Sequence, residues 1–494
     1  KVIYAGNFEG NGMDITGFAS VFMDNRNNGG LFSQIGYAAN KIGSVKNLSL
    51  APKEIVFNNT NNVGVLAGTL KYGYIYDINV DSLENNLPSV SGLNFVGGII
   101  GKAINDFEAK DIYSNTNVWA VYSPSNNETF IEGAGQDSAF SYAGGLIGFV
   151  GQGKVYNAHV KDIEIVTGSR AGFAFGGIGE GANVEYTFVD VKLNSKLRAN
   201  HYAGYVVGEV AGNLKYAYVP NNGNIESTFA NVPKAAEAVG GIAGKLSAGN
   251  ISNALVEQNF RVTNNENETA IANVGGLVGI VVSSSPVLSS IKDSVVKSDI
   301  SGASVLGGAV GTVSSALNID GIAVKSSSLS ILGQKANPYL GGIVGSLTRN
   351  VYAALDMKNC YSTSKLVIET YTTGVASTAS VGGLLGNAEL GKVPTLEYCY
   401  TTSTVEAEVY DSRALGENKD FAEYKEDKPE EAQFNYYITN QDQTKKAFKN
   451  VYYYGAQNGK TKYEEVNTFV TYKTRVKNAK IGLNINNYGV SSVE

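Results

Sequence analysis

A short glycine motif occurs eleven times in this chain of 494 residues. A typical copy consists of an apolar residue, glycine, a variable residue, two apolar residues and glycine, as in "AGGLIG" and "VGGIAG". The first glycines of the copies are Gly29, Gly64, Gly97, Gly144, Gly172, Gly204, Gly240, Gly275, Gly307, Gly341 and Gly382. Most neighbouring copies lie about 34 residues apart, and a period of this size is typical of solenoids, propellers and other repeat arrays.

A second motif follows the glycine motif in most copies, as in "VYNAHV" and "ISNALV". Its third position is Asn or Asp in seven copies: Asn47, Asp77, Asp111, Asn157, Asn253, Asp293 and Asn359. These residue types tolerate the left-handed backbone conformation and bond to their own backbone. We therefore expect a bend at this position, at a corner of a solenoid, with the side chains of successive coils forming a ladder of amides.

Close packing of the backbone explains why glycine recurs at fixed positions of the motif. In "VGGIAG" both residues after the glycine pair are apolar, so both faces of this strand are expected to be buried. Such a strand needs small residues where another backbone approaches closely. The first glycine is kept in every copy and the last in all but one, where Ser33 stands, whereas Val65, Phe173 and Tyr205 show that the middle position has room for a side chain. The glycines thus predict one close backbone approach in each coil.

Two other repeat architectures fit less well. Helical repeats need amphipathic stretches with a period of about 3.6 residues, whereas these runs are short, β-branched or aromatic, and broken by Gly and Asn. A propeller blade is usually longer and carries four strands. The sequence therefore predicts an all-β fold, a right-handed parallel β-solenoid of about eleven coils.

The composition changes after Val405. Residues 411–433 concentrate charge, although charged residues are only 17% of the chain, and the aromatic runs "FNYYITN" and "VYYYGAQNG" follow. Because the open end of a solenoid exposes unpaired strand edges that must be covered, we expect a solenoid over residues 1–405 and a C-terminal cap or docking extension over residues 406–494. The chain begins at Lys1 without such a cap, so we expect it to have been excised from a longer protein or covered by a partner there.

The two motifs together resemble the GLUG repeat family, whose pattern is approximately Val-Gly-Gly-Leu-Val-Gly followed by a strand similar to "IxNxxV". The copy "VGGLVG" at residues 274–279, with "IKDSVV" downstream, matches that pattern almost letter for letter. The opening "FEGNGMDITGF" is similar to the coil that often begins such arrays. The resemblance, which covers about residues 1–405, implies a secreted or surface-exposed bacterial protein, typically adhesin-like. Similar repeats lie in non-catalytic regions of IgA-specific zinc metallopeptidases, and the family has no shared catalytic residue.

Cys360 and Cys399 occupy the same position of consecutive copies, in "KNCYS" and "EYCYT". Equivalent residues of neighbouring coils lie about 4.8 Å apart, within the window of about 4.4–6.8 Å that a disulfide needs between Cα atoms. We therefore expect the two residues to be adjacent. Two interpretations stay open, a disulfide between coils formed outside the cytoplasm or a pair of reduced thiols in the core.

The sequence gives little support to catalysis or metal binding. The two histidines, His159 and His201, belong to no HExxH motif, no CxxC motif is present, and the acidic residues are scattered. A zinc site, a Ser-His-Asp triad and the carboxylate cluster of a polysaccharide-cleaving β-helix are therefore unsupported. We expect a protein that is not an enzyme, with no catalytic residue, no metal and no cofactor, and we expect His159 to be structural.

Charge and hydropathy exclude two classes of binding partner. The net charge of −6, without a basic stripe, argues against nucleic acid. The apolar runs are shorter than the roughly 18 residues of a membrane-spanning helix, so we expect no membrane insertion by this chain.

The longest gap between copies contains the sole tryptophan of the chain, Trp119, with Tyr122 and Phe130 nearby. Insertions in solenoids often carry function. Aromatic side chains on an exposed loop could stack on sugar rings or anchor a protein partner, or they could cover a small core of the loop itself. These three residues are the predicted ligand-binding residues.

The sequence therefore favours an extracellular or cell-surface bacterial protein, adhesin-like or structural. It would bind a glycan or protein of a host or neighbouring cell, or other surface subunits. The alternative is the non-catalytic ancillary region of a secreted IgA-type zinc metalloprotease.

Overall fold

The structure is a computed structural model. It describes the chain except for residues 1–2, 23–25, 58, 82–88, 121–140, 192–194, 223–224, 229–236, 264–272, 284–286, 303, 335–337, 349, 373–378, 389–393, 412–433, 437–447, 450–451 and 454–494. The described residues form strands, turns and bends, with no helix among them. Strands stack in parallel and in register, so the predicted all-β parallel solenoid is confirmed. The chain divides into two compact units, unit 1 with Lys1–Asn259 and Thr263–Asn265, and unit 2 with Phe260–Val262 and Glu266–Glu494.

A typical coil contains four strands, each belonging to a different sheet. We name the sheets in the order in which one coil passes through them: the corner sheet, the connecting sheet, the first glycine sheet and the second glycine sheet. One such coil consists of Gly43–Ala51, Glu54–Phe57, Thr60–Gly64 and Ala67–Lys71. The second motif forms the corner strands, and the glycine motif forms the two glycine strands with a tight turn between them.

In unit 1 the four sets of strands have the following bounds. The corner strands are Asn7–Thr16, Gly43–Ala51, Gly73–Val80, Glu108–Ser114, Gly153–Lys161, Ala182–Asp190, Asn213–Val219, Asn250–Ser252 and Leu255–Val256. The connecting strands are Ala19–Phe22, Glu54–Phe57, Ser89–Gly92, Asn117–Ala120, Glu164–Thr167, Lys196–Ala199 and Ile225–Thr228. The first glycine strands are Arg26–Gly29, Thr60–Gly64, Phe95–Gly97, Tyr142–Gly144, Arg170–Gly172, Tyr202–Gly204 and Ala238–Gly240. The second glycine strands are Ile3–Tyr4, Phe32–Ile35, Ala67–Lys71, Ile100–Ile104, Ile147–Val150, Phe175–Ile178, Val207–Val210 and Ala243–Leu246.

Unit 2 repeats the same plan. Its corner strands are Ser289–Val296, Ala316–Val324, Ala354–Lys358, Tyr361–Ser362, Thr395–Glu397, Tyr400–Thr401, Phe448–Lys449 and Tyr452–Tyr453. Its connecting strands are Phe260–Thr263, Ile300–Gly302, Ser328–Gln334, Lys365–Thr372 and Thr404–Asp411. Its first glycine strands are Asn273–Gly275, Val305–Gly307, Tyr339–Gly341, Ala379–Gly382 and Phe434–Tyr436. Its second glycine strands are Val278–Val281, Val310–Val313, Val344–Leu347 and Leu385–Ala388.

The core consists of columns of apolar side chains, one residue from each coil. The first position of the corner motif is an example, and its side chains are fully buried in successive coils: Val45, Ile75, Ala109, Val155 and Val184. Burying a side chain of this kind stabilises a fold by about 1.5–3 kcal/mol for the larger members. The repeat therefore forms one continuous column within the unit.

The bend predicted at the Asn or Asp of the corner motif is confirmed. All seven residues have φ between 47° and 55°: Asn47, Asp77, Asp111, Asn157, Asn253, Asp293 and Asn359. The predicted ladder is formed only in part. Asn157 donates from Nδ2 to Asp111 Oδ1 of the preceding coil at 2.6 Å, whereas tyrosine holds the same corner at Tyr186 and Tyr216.

The close backbone approach predicted from the glycines is confirmed. A Cβ built on Gly144 would lie 2.6 Å from the nitrogen of Gly176 in the next coil. A Cβ on Gly176 would lie 2.4 Å from the carbonyl oxygen of Gly148. The first glycine of one coil thus faces the last glycine of the next. The two glycine sheets can approach this closely because neither glycine carries a side chain.

The predicted boundary between residues 405 and 406 falls inside strand Thr404–Asp411, which pairs in register with Lys365–Thr372. Strand Phe434–Tyr436 then pairs with Ala379–Gly382, so strands of the solenoid continue beyond residue 405. The charged composition after Val405 conceals this, because parallel pairing uses backbone groups that any residue except proline supplies. Most of residues 406–494 lie outside the described part of the chain, and their capping role stays a prediction.

Replacing Gly176 by alanine is expected to lower the free energy of unfolding by about 1–3 kcal/mol, because the added Cβ would overlap the backbone of the preceding coil. Gly179→Ala is the matched control, since its Cβ would meet the ring of Phe149, a side chain that can shift. Urea denaturation monitored by circular dichroism measures both. Equal losses for the two variants would contradict the proposed backbone contact.

Candidate functional site

One of the three predicted ligand-binding residues, Trp119, lies within the described part of the chain. Tyr122 and Phe130 lie outside it. Trp119 lies in strand Asn117–Ala120, which pairs with strands of both neighbouring coils, so its backbone is part of the solenoid rather than of a loop. Its side chain is half-buried. A role for Trp119 in binding stays a prediction.

Two tyrosines form the most exposed aromatic surface at the corners of unit 1. Tyr186 and Tyr216 are equivalent residues of neighbouring coils, and their rings are stacked with centroids 4.7 Å apart and planes 7° apart. Their exposed fractions are 55% and 43%. We call this pair the tyrosine platform. The two rings lie parallel to one another and each is partly exposed, so the pair offers aromatic surface to solvent.

Amide and charged side chains lie on the two corner strands that carry the tyrosine platform and on the next corner strand. Asn213 donates from Nδ2 to Asn183 Oδ1 at 2.9 Å, and Asn250 donates to Asn213 Oδ1 at 2.8 Å. Lys215 Nζ lies 3.8 Å from Glu185 Oε1 in an exposed ion pair. The surroundings therefore offer hydrogen-bonding groups, while the two neighbouring charges balance one another.

The tyrosine platform has a conformational cost. Tyr186 and Tyr216 have φ of 60° and 56°, in the left-handed region that Asn, Asp and Gly occupy at other corners. A bulky residue in this region is an outlier, and the conformation costs about 1–2 kcal/mol for an ordinary residue. Strained residues of this kind concentrate at functional sites. Two strained and exposed tyrosines in consecutive coils therefore mark a candidate site.

A second set of side chains comes from the two glycine sheets of unit 1. Its members are aromatic or charged, half-buried, and lie in five consecutive coils; we call them the cationic strip: Phe95, Lys102, Tyr142, Phe149, Arg170, Tyr202, Glu209 and Lys245. Each lies directly before or directly after a glycine motif. The residues that flank the motif thus form a row along the stacked coils.

Cations and rings alternate within the cationic strip. Lys102 Nζ lies 4.3 Å from the ring centroid of Phe95. The guanidinium carbon of Arg170 lies 4.9 Å from the ring of Tyr142 and 5.5 Å from that of Tyr202. Lys245 Nζ lies 5.0 Å from the ring of Tyr202. Cation–π contacts of this kind contribute about 0.5–2 kcal/mol each, so the rings hold the cations in place.

Glu209 is the carboxylate within the cationic strip. It forms ion pairs with Arg170 and with Lys245, the latter at 2.9 Å between Nζ and Oε1. Burial alone would raise the pKa of Glu209, but the two cations outweigh burial and hold that pKa below its ordinary value. Burial, partly offset by Arg170, also raises the pKa of the Tyr142 phenol to about 12. Glu209 is therefore ionised and Tyr142 is neutral at physiological pH.

Both histidines contact other side chains of the protein. The ring of His159 packs between those of Tyr113 and Phe188, with centroids 5.1 Å and 4.9 Å away. Burial lowers the pKa of His159, so this ring is neutral at physiological pH. His201 Nδ1 lies 2.8 Å from Glu237 Oε1. In the described part of the chain, no three His, Cys, Asp or Glu side chains gather as a metal ion would require.

The predicted adjacency of Cys360 and Cys399 agrees with the register of the corner strands, in which Tyr361 pairs with Tyr400. Both thiols are free and almost fully buried. Cys360 Sγ lies 2.8 Å from the carbonyl oxygen of Lys358. Burial and then the neighbouring Cys399 raise the pKa of Cys360 well above its ordinary value. A disulfide between the coils stays a prediction.

The glycine and corner motifs do not by themselves predict either surface, although the sequence contains a signal for each. Tyr186 and Tyr216 occupy the third position of "VEYTFV" and "LKYAYV", where other copies have Asn or Asp. The cationic strip comes from positions that flank the conserved core of the glycine motif. When the copies are aligned on the first glycine, these flanking positions show the run of rings and cations.

Comparison of the chain with protein-family models, with curated proteins and with solved structures gives no match. The resemblance to GLUG repeats stays a prediction that rests on the quoted motifs.

Among the described residues there is no helix with the length and apolar character needed to cross a membrane.

We expect Glu209→Gln to lower the free energy of unfolding by about 1–3 kcal/mol at pH 7, because two half-buried cations lose their carboxylate. Since the folded pKa of Glu209 is depressed, its contribution is complete above the ordinary glutamate pKa and is lost as the pH falls through the folded value. Denaturation of both proteins from pH 7 to acid measures the difference, with exposed Glu180→Gln as control. A difference that grows on acidification would refute this assignment.

The buried thiols give a test of their redox state. In the reduced, folded protein neither Cys360 nor Cys399 is expected to react with iodoacetamide, because both are buried and the thiolate of Cys360 is disfavoured. After refolding under oxidising conditions the intact mass should fall by two hydrogen atoms, and Cys399→Ser should show no such loss. Rapid alkylation of the folded protein would contradict the buried arrangement, and an unchanged mass would exclude the disulfide.

Proposed function

We propose that this chain is a non-enzymatic, adhesin-like β-solenoid of an extracellular or cell surface that binds a neutral glycan through the tyrosine platform. The observation that carries the proposal is the exposed, stacked pair Tyr186 and Tyr216 in the left-handed conformation. A purely structural corner would be less strained with Asn or Asp, which other coils use.

The chemistry of the platform suits a sugar. One face of a pyranose ring carries C–H groups that pack on an aromatic ring, while its hydroxyls need hydrogen-bonding partners. The ladder Asn183, Asn213 and Asn250 supplies amide groups on the two strands that carry the tyrosines and on the next corner strand. The opposite charges of Glu185 and Lys215 lie 3.8 Å apart and balance one another, so the surface favours a neutral ligand over a charged one.

The fold supports the same proposal. Equivalent residues of neighbouring coils stack one strand spacing apart, about 4.8 Å, so a solenoid presents a row of similar side chains without further loops. The GLUG-like motifs are the other support, because that resemblance implies secreted or surface-exposed bacterial proteins. A glycan partner on a host or neighbouring cell follows from this location.

The double substitution Tyr186→Asn and Tyr216→Asn tests the proposal. Asn fits the left-handed corner, so the melting temperature should stay the same or rise, because relief of about 1–2 kcal/mol of strain per residue offsets the lost ring stacking. Binding to an array of neutral oligosaccharides should fall at least about tenfold, as expected when an anchoring aromatic side chain is removed.

Tyr398→Asn is the matched control, because Tyr398 is also an exposed corner tyrosine, 47% exposed with φ of 54°, in unit 2. This variant should keep the binding of the unchanged protein. If the double variant binds as well as the unchanged protein, or if the unchanged protein binds no neutral oligosaccharide, the proposed function is wrong.

A further inference from the structure

The cations of the cationic strip have a regular spacing. Lys102 lies in one coil, Arg170 lies two coils further along, and Lys245 lies two coils beyond Arg170. With about 4.8 Å between neighbouring strands, successive cations are about 10 Å apart along the stack. The coils between them contribute the rings of Tyr142, Phe149 and Tyr202. A cation therefore recurs in every second coil, with aromatic surface between.

Charge along the cationic strip is not balanced. Glu209 binds both Arg170 and Lys245, and Glu237 lies next to His201. Lys102 forms no ion pair within the described part of the chain, although it is half-buried. Its ammonium group contacts the rings of Phe95 and Phe149 at 4.3 Å and 5.9 Å from their centroids. A cation that has lost part of its hydration without gaining an anion is prepared to bind one.

Glycine makes room for the ring at the centre of the strip. A Cβ on Gly177 would lie 2.6 Å from the ring of Tyr142 and 3.1 Å from that of Phe149. Without that side chain, the rings of Phe95, Tyr142 and Phe149 pack together, with centroids between 5.3 Å and 5.6 Å apart. The strip therefore has a continuous aromatic surface next to Lys102.

From these features we infer that the cationic strip is a second binding site, for a linear acidic polysaccharide that carries a carboxylate on every second sugar. The carboxylates would meet Lys102, Arg170 and Lys245, and the sugar rings between would lie on the aromatic surface. Two sugars of an extended chain have a length close to the spacing of two coils. An acidic peptide fits less well, because the rings between the cations suit the apolar faces of sugars.

Substitution of Glu209 is expected to change the affinity for the ligand in a direction that is specific to this site. Its carboxylate occupies Arg170 and Lys245, so an incoming carboxylate competes with it. Removal of this carboxylate should therefore strengthen binding, whereas removal of Lys102 should weaken it. A variant that merely damages the fold would not strengthen binding.

The experiment measures the binding of the full chain to hyaluronan, in which a uronic acid alternates with a neutral sugar, and to carboxyl-reduced hyaluronan, by surface plasmon resonance at low salt. We expect binding to hyaluronan, about tenfold or more weaker binding to the reduced polymer, and weakening as salt is added. Lys102→Met should reduce affinity about tenfold or more, and Glu209→Gln should increase it severalfold. Exposed Lys154→Met is the matched control and should have no effect.

Several results would overturn the inference: no binding to hyaluronan, equal binding to the reduced polymer, or equal loss from Lys102→Met and Lys154→Met. Binding of poly-glutamate as tight as that of hyaluronan, with the same dependence on Lys102, would assign the strip to an acidic protein instead. Equal binding of polygalacturonate, which carries a carboxylate on every sugar, would refute the alternating spacing. The double variant of Tyr186 and Tyr216 should bind hyaluronan normally, so failure of the proposed function and failure of this site are distinguishable.

Discussion

The backbone contact between glycines of neighbouring coils is the constraint on which the rest of unit 1 depends. Gly144 faces Gly176 at a distance that leaves no space for a Cβ. This contact brings the two glycine sheets together, and the residues that flank each motif are therefore forced against one another, as Arg170 and Glu209 are. The cationic strip is a consequence of this approach, because side chains of strands farther apart could not make ion pairs and ring contacts in the same row.

The sequence predicts those parts of the fold that depend on one residue type at one position. The left-handed bend at Asn157 and the close approach at Gly176 each follow from a local property of the residue. Features that depend on two residues in different coils are harder to predict. Tyr186 and Tyr216 are neighbours because the register pairs their strands, and the sequence of either copy alone does not show that pairing.

The length of a gap between copies and the local composition do not predict reliably where the paired strands of the solenoid begin and end. The long gap between copies predicts that Trp119 lies in an insertion, yet the strand Asn117–Ala120 that holds it pairs with strands of both neighbouring coils. The change of composition after Val405 predicts a boundary there, although Thr404–Asp411 continues the ladder of paired backbones. A change of composition therefore does not show that strands have stopped pairing.

The separation between residues that determine the fold and residues that face solvent explains how one repeat can carry two surfaces of different chemistry. The glycines, the corner residues and the buried apolar columns are constrained in each coil, whereas the flanking positions change from Phe95 to Arg170 without altering the path of the backbone. Because the coils stack in parallel, a different residue at the flanking position of one copy changes one side chain in the row. A regular row is complementary to a ligand that is itself regular, and polysaccharides are such ligands. The corner tyrosines differ from the flanking residues, because they occupy a constrained position at a conformational cost. This cost makes them stronger candidates for a binding role than the residues of the cationic strip.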